Sequence, residues 1–387
     1  MKRVVLLTAL AVSFQLSAFA HCPIVDGGTL VVRAPIGNIH IETTGRDGID
    51  TEVSSRNITV KESCVSRDQV RIEGTGADQL RGNVDWKIVV PRSVNLDLVT
   101  YGGSIEVGDL DAAAKVRTTG GSVNVGNIKG QTLIITQGGF IKAGNIGDSA
   151  ELRSSSAGAL EVGNISGDAE LHTAGGSITT GTITGKITAD TAGGSIYIKG
   201  ARGEVIANST TDIYVGDAAK INAKTIGGNI TILRVRGGTQ GRTESGDIRI
   251  ESAGAWVEAS TGFGTIYVKL VPENVDGDLH MDLESENGDI SIFIPPNIKA
   301  TIDARVDKQV MNAQRIFSDY PVNGQQENVP ARNTRIGAIA LNTNPLPIPA
   351  PSGGRLQSGM RSQIVRNGGG NAISLHVSLG KIEVKKY

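Results

Sequence analysis

A glycine that returns about every eighteen residues constrains this chain more than any other feature. The second residue of successive Gly-Gly-like pairs falls at Gly103, Gly121, Gly139, Gly158, Gly176, Gly194, Thr211, Gly228, Gly246, Gly264 and Gly288. The steps are 18, 18, 19, 18, 18, 17, 17, 18, 18 and 24, and the long one holds Pro272 and Asp276-Gly277, which read as a loop insertion. Two residues after each stands an aliphatic side chain, from Ile105, Val123 and Ile141 through Ile178, Ile196 and Ile213 to Ile290. Two further on, a second and mostly apolar column runs from Val107 to Ile292, and the residues between the columns are mixed. Such alternation predicts a half-buried strand.

A second strand precedes each glycine. Its inward column includes Leu98, Val116, Ile134, Leu152, Leu171, Ala189, Ile206 and Ala223. After it come Thr100, Thr118, Thr136, Ser155, Thr173, Thr191, Asn208, Thr225, Thr243, Thr261 and Ser285, which read as a ladder bonding along its own column. The near-repeats VGDL, VGNI, AGNI and VGNI mark a third recurring corner. Together these columns predict an all-β fold, a β-solenoid (single-stranded β-helix) with about 18 residues per coil, capped at both ends. About eleven coils at about 4.8 Å would make a stack on the order of 50 Å long. The first Gly of the pair varies, to Ala157, Thr210, Ser245, Phe263 or Asn287, whereas the second persists. The second therefore sits either at positive φ or where stacked corners leave no room for a Cβ. A phosphate-cradling loop would need a helix after it, and none is signalled.

The boundaries follow from where the period starts and stops. Residues 1–20 read as a signal peptide, with Lys2 and Arg3 before an apolar run and Ala18 and Ala20 as the cleavage site. Residues 21–99 form an N-terminal β cap, 100–306 the solenoid repeats, 307–365 an irregular Pro-rich loop region, and 366–387 C-terminal strands that return to pair with the last coils. An exported protein without a transmembrane anchor is expected, in the periplasm, on the cell surface or outside the cell. The only cysteines, Cys22 and Cys64, are then expected to form one disulfide that tightens the cap. Cleavage after Ala20 would place His21 at the N-terminus, where its amine and ring could bind copper, although no partner histidine is legible. A net charge of -1 offers no basic field for nucleic acid.

The G-x-I-x-V repeats, the strand-Pro-strand segments IVVPRSVNLDLVT and IFIPPNIKATIDARV, the FSDYPV segment and the terminal NGGG resemble the bacterial putative-adhesin family of β-strand repeat proteins. The central domain of that family is a domain of unknown function. The resemblance implies an envelope or surface protein, and it carries no catalytic residues to transfer.

Two outward columns are candidates for function. Arg153, His172 and Asp190 fall on consecutive coils with Glu151 and Glu170 beside them, as a polysaccharide lyase or hydrolase would require, though a mixed-charge column also reads as a solvated face. Tyr197, Tyr214 and Tyr267 share another column, a possible contact strip for sugar rings or a stack that stabilises the coils. Asp109, Asp212, Asp247 and Asp289 are too scattered for a repeated calcium site. The expected protein is non-enzymatic, without cofactor or metal, adhesin-like or an envelope-associated scaffold. Its partner would be a cell-surface glycan or an envelope protein, and the alternative is a carbohydrate-active β-helix enzyme.

Overall fold

The structure is a computed structural model that describes residues 22–54, 58–76, 84–307, 315–322, 327–330 and 358–387. The expected signal peptide, His21 and most of the Pro-rich stretch lie outside the described residues. Among the described residues the fold is all-β, with two sheets of 18 and 16 strands and no helix.

Successive strands alternate between the sheets: Ala114–Thr118 lies in the first, Val123–Val125 in the second and Thr132–Thr136 in the first again. Each pairs in parallel with the strand one period on, so that Val116, Ile134, Leu152 and Leu171 lie in register. In the second sheet Val123, Ile141, Leu160 and Ile178 do the same. These long parallel sheets are consistent with a β-solenoid. Ile178, Ile196 and Ile213 are each at most 1% exposed, as a continuous interior demands. The third corner supplies another inward column, in which Leu110, Ile128, Ile146, Ile165 and Ile183 are joined by parallel bridges. It continues through Ala201, Ala218, Val235 and Ala253.

The glycine pairs divide by what lies one coil below. A Cβ on Gly121 or Gly176 would come 2.1 or 2.3 Å from the carbonyl oxygen of Gly103 or Gly158, whereas one on Gly102 meets nothing within 4 Å. Neither Gly121 nor Gly176 has a positive φ, so crowding is the reason for the second glycine there, and only at Gly264 and Gly288 does a positive φ accompany it. The hydroxyl column explains why the coils approach so closely there. Rather than bonding along their own column, the hydroxyls donate to the carbonyl of the crowded glycine one coil earlier, or of Thr211 where that residue replaces it. Thr118 reaches Gly103 at 2.6 Å, Thr136 reaches Gly121 at 2.7 Å, and Thr191 reaches Gly176 at 2.8 Å.

Two positions of that column differ from the sequence reading. Ser154, not Ser155, donates to Gly139, and Ser209, not Asn208, donates to Gly194. The strands keep register, and the corner absorbs the added or missing residue. In the shorter coil Val205 and Ala207 are therefore the buried pair, while Ile206 and Asn208 face outward.

At both ends the stacking order departs from the chain order. The strands Thr29–Ala34 and Asn38–Thr44 are inserted between the coil of Gln69–Thr75 and Asp85–Pro91 and the coil of Asn95–Thr100 and Ile105–Val107. At the other end Asn371–Leu379 and Ile382–Lys386 are inserted between Met281–Asn287 with Ile290–Ile294 and Ala300–Val306 with Ile316–Ser318. The two strand-Pro-strand segments are the links that skip over these inserted coils, a climb of about 10 Å. They share a turn: Val94 N donates to Pro91 O at 3.3 Å, and Ile298 N to Pro295 O at 3.4 Å.

Antiparallel strands then cover the outer coils and end the parallel growth. Thr59–Ser66 lies on Gln69–Thr75, Asp50–Val53 on Asp85–Pro91, and Ser358–Arg366 on Ala300–Val306. The last of these falls within the stretch that the sequence reads as irregular, because its alternation is too short to stand out beside the prolines. Cys22 and Cys64 are bonded, with Cα atoms 5.6 Å apart, and join the start of the described chain to the covering strand Thr59–Ser66.

Candidate functional site

The second sheet carries two kinds of outer face. Its outward column begins with Glu106, Asn124, Lys142, Glu161 and Thr179, which are polar, and then turns aromatic at Tyr197 and Tyr214. Parallel register puts these two tyrosines side by side, with ring centroids 4.7 Å apart and planes 4° from parallel. Tyr267 stands apart from them, since Thr231 and Arg249 occupy the intervening coils. The Arg249 guanidinium lies 4.3 Å above the Tyr267 ring, and Phe293 packs on the ring at 5.2 Å.

Sequence reasoning placed the three tyrosines in one column but missed the groups that complete the patch. Lys269 lies 4.7 Å over the Tyr387 ring and Lys385 lies 5.6 Å over Phe293. Phe293 sits two residues beyond Ser291, the position in register with the tyrosines, and Tyr387 arrives only because the C-terminal coil is inserted. Hydrogen bonds from Lys381 and then Lys385 hold the Glu383 carboxyl down at about 2. The ring faces point along the stack toward neighbouring coils, so the patch shows solvent ring edges, phenol hydroxyls and ammonium groups.

The first sheet carries the charged column. Arg153 Nε lies 2.7 Å from Glu151 and its Nη2 3.3 Å from Glu170. His172 Nε2 is 3.1 Å from Glu170 and Nδ1 3.0 Å from Asp190, which also accepts from Asn208 Nδ2 at 2.5 Å. Hydrogen bonding by His172, ahead of the Arg153 charge, lowers the Glu170 carboxyl below its usual range. The chain of contacts borders a hollow of about 720 Å³, floored by Thr173, Thr191 and Ser209. With both nitrogens of His172 facing carboxylates, neither is open to a substrate in this arrangement.

The scattered aspartates have a structural task. Asp109, Asp212, Asp247 and Asp289 each accept the backbone N–H of a residue on a neighbouring coil, namely Asn127, Asn229, Thr265 and Lys381, at 2.7 to 3.0 Å. Asn127 and Asn145 continue the first of these ladders, accepting from the backbone N–H of Asn145 and Asn164. Among the described residues no group of three or more His, Cys, Asp or Glu side chains could hold a metal ion. No helix among them is long and apolar enough to cross a membrane.

Solved structures similar to this chain include two from bacteria. One is a putative adhesin from Bacteroides fragilis NCTC 9343, at 14% identity and a TM-score of 0.23, covering 69% of this chain and 92% of that one. The other is a putative cell adhesion protein from Clostridium sporogenes ATCC 15579, at 8% identity and a TM-score of 0.17, covering 94% and 93%. At these scores neither likeness bears on family or function. No protein-family model matches the chain, and no curated protein matches it.

Proposed function

We propose that this chain is an exported β-solenoid with about 18 residues per coil, an adhesin-like or envelope-associated scaffold without catalytic activity. The aromatic half of its second sheet binds a cell-surface glycan. One observation carries the reading: outward rings and cations gather on the coils from Tyr197 to Tyr387, while the outward column of the preceding coils on that sheet is polar. Ring edges, phenol hydroxyls and ammonium groups at coil spacing suit a hydroxyl-rich, extended partner. The enzyme alternative rests on His172 and Asp190, and the occupied ring nitrogens of His172 weigh against it.

A glycan array tests the proposal with wild type, a triple Tyr197→Ala, Tyr214→Ala, Tyr267→Ala variant, and the matching triple Phe variant. Binding should weaken at least about tenfold in the Ala variant and less in the Phe variant. Unchanged binding by the Ala variant would remove this face as the contact. Cleavage of acidic polysaccharide that vanishes in His172→Gln with Asp190→Asn would replace the scaffold by the enzyme.

A further inference from the structure

Every described histidine sits between two carboxylates. In His40, Nδ1 lies 3.0 Å from Glu106 and Nε2 3.5 Å from Glu42. In His172 the distances are 3.0 Å to Asp190 and 3.1 Å to Glu170. In His280 they are 2.7 Å to Asp278 and 4.0 Å to Glu258. In His376 they are 3.3 Å to Glu284 and 2.9 Å to Asp307. A neutral imidazole has one N–H, so one of the two carboxylates would face a ring lone pair; only the imidazolium donates on both sides. The opposed directions of the two nitrogens also preclude a single metal ion between both carboxylates.

In each case at least one carboxylate belongs to a different coil from the ring, and for His376 both do. We infer that His376 is an acid-set clamp, tying the inserted C-terminal coil to both of its neighbours on protonation, so that this end of the stack tightens as the surroundings become mildly acidic.

The surrounding charges agree. Around His376, Asp282 and Glu284 come from the strand on one side, Asp303, Arg305 and Asp307 from the segment on the other, and Arg361 from the covering strand. Arg305 pairs with Asp307 and Arg361 with Asp303, while Glu284 faces the ring at 3.3 Å. His40 faces Glu106 on one side, while Lys87 on the other pairs with Glu42. His172 has Glu151 and Arg153 before it and Asp190 after it. His280 stacks on Trp256 at 5.5 Å beside Glu258, and the Asn371–Leu379 strand beyond brings no charge opposite it.

His376 is the least exposed of the four rings, at 17% of its side chain. Hydrogen bonding to Glu284, and then to Asp307, raises its pKa against the opposing effect of burial. A raised folded value gives stability that is complete below the ordinary histidine value near 6.5 and is lost as pH rises through the folded value. Lowered values at Glu42, chiefly from the Lys87 hydrogen bond, at Glu170 from His172, and at Asp278 from His280 work at the other limit. Their contribution is present above the ordinary carboxylate range and is lost only as pH falls through the lowered values.

Thermal melts of the full chain at pH 5.5 and 7.5 test the clamp. Wild type should melt higher at pH 5.5 by roughly 2–4 °C. His376→Gln should remove that gap. A gap of wild-type size in this variant, or a wild type more stable at pH 7.5, overturns the inference. Should the variant not fold, imidazole nitrogen NMR on wild type decides: His376 must carry protons on both nitrogens at pH 5.5 and titrate above the ordinary value, and a lower midpoint rejects the clamp.

Discussion

The two ends of the stack are built by the same device from opposite ends of the chain and are locked by different chemistry. At each end a terminal coil fills a slot that a proline-containing link has skipped, and an antiparallel strand covers the outermost coil. The N-terminal end is closed by the Cys22–Cys64 disulfide and by Trp86, fully buried, whose indole N–H donates to Ile36 O at 3.0 Å. The C-terminal end has no covalent tie. It relies on His376 between two carboxylates, on Glu383 between two lysines, and on the Tyr320 hydroxyl, which donates to Ile294 O at 2.9 Å. The disulfide responds to reductant, whereas the charged groups at the C-terminal end respond to pH.

Emptying the C-terminal slot has the largest expected effect. Ending the chain after Arg366 removes Ile373, Leu375, Val377, Ile382 and Val384 from the core, each at most 1% exposed. At the usual worth of such side chains the loss is roughly 7–15 kcal/mol as an upper bound, and hydrogen exchange should show residues 281–306 unprotected. Replacing Cys22 and Cys64 by serine comes next. Opening a link with a sequence separation of 42 should lower stability by about 4 kcal/mol in denaturant titration, with exchange rising at the N-terminal end alone. Tyr320→Phe should cost about 1 kcal/mol, confined to the C-terminal end.

Acid makes the smallest change. Glu383, with its folded value depressed to about 2, contributes stability that is present above its unfolded value near 4.5 and is lost as pH falls toward 2. Amide exchange in 382–386 should therefore quicken across that window relative to 29–34, a strand without a carboxylate, and equal behaviour at both would break the contrast.

The middle of the molecule was legible in the sequence because stacking forces chemically similar residues into columns, and a fixed period exposes columns without any knowledge of contacts. The same period placed Arg153, His172 and Asp190 on consecutive coils, and it placed Tyr197 beside Tyr214. It failed by one residue at Ser154 and Ser209, where the corner took up the change in length while the strands kept register. It could not show that hydroxyls seek the glycine carbonyl one coil earlier, since a column of threonines looks the same whichever acceptor it uses. The inserted coils were less legible still. Parallel pairing between distant strands leaves no local mark, and the only trace was the echo between IVVPRSV and IFIPPNI, whose shared task appears once both slots are seen. The clamp at His376 was hidden for that reason, since only the inserted coil brings it between Glu284 and Asp307.

Cysteine pairs test that order directly. Asp282 lies opposite Ser374, and Ser374 opposite Asp303, all facing outward on the first sheet. With the native disulfide intact, Asp282→Cys with Ser374→Cys should crosslink readily on mild oxidation, while Asp282→Cys with Asp303→Cys, two coils apart, should not. Crosslinking of the second pair and not the first would mean that the coils stack in chain order, with the C-terminal strands outside the stack.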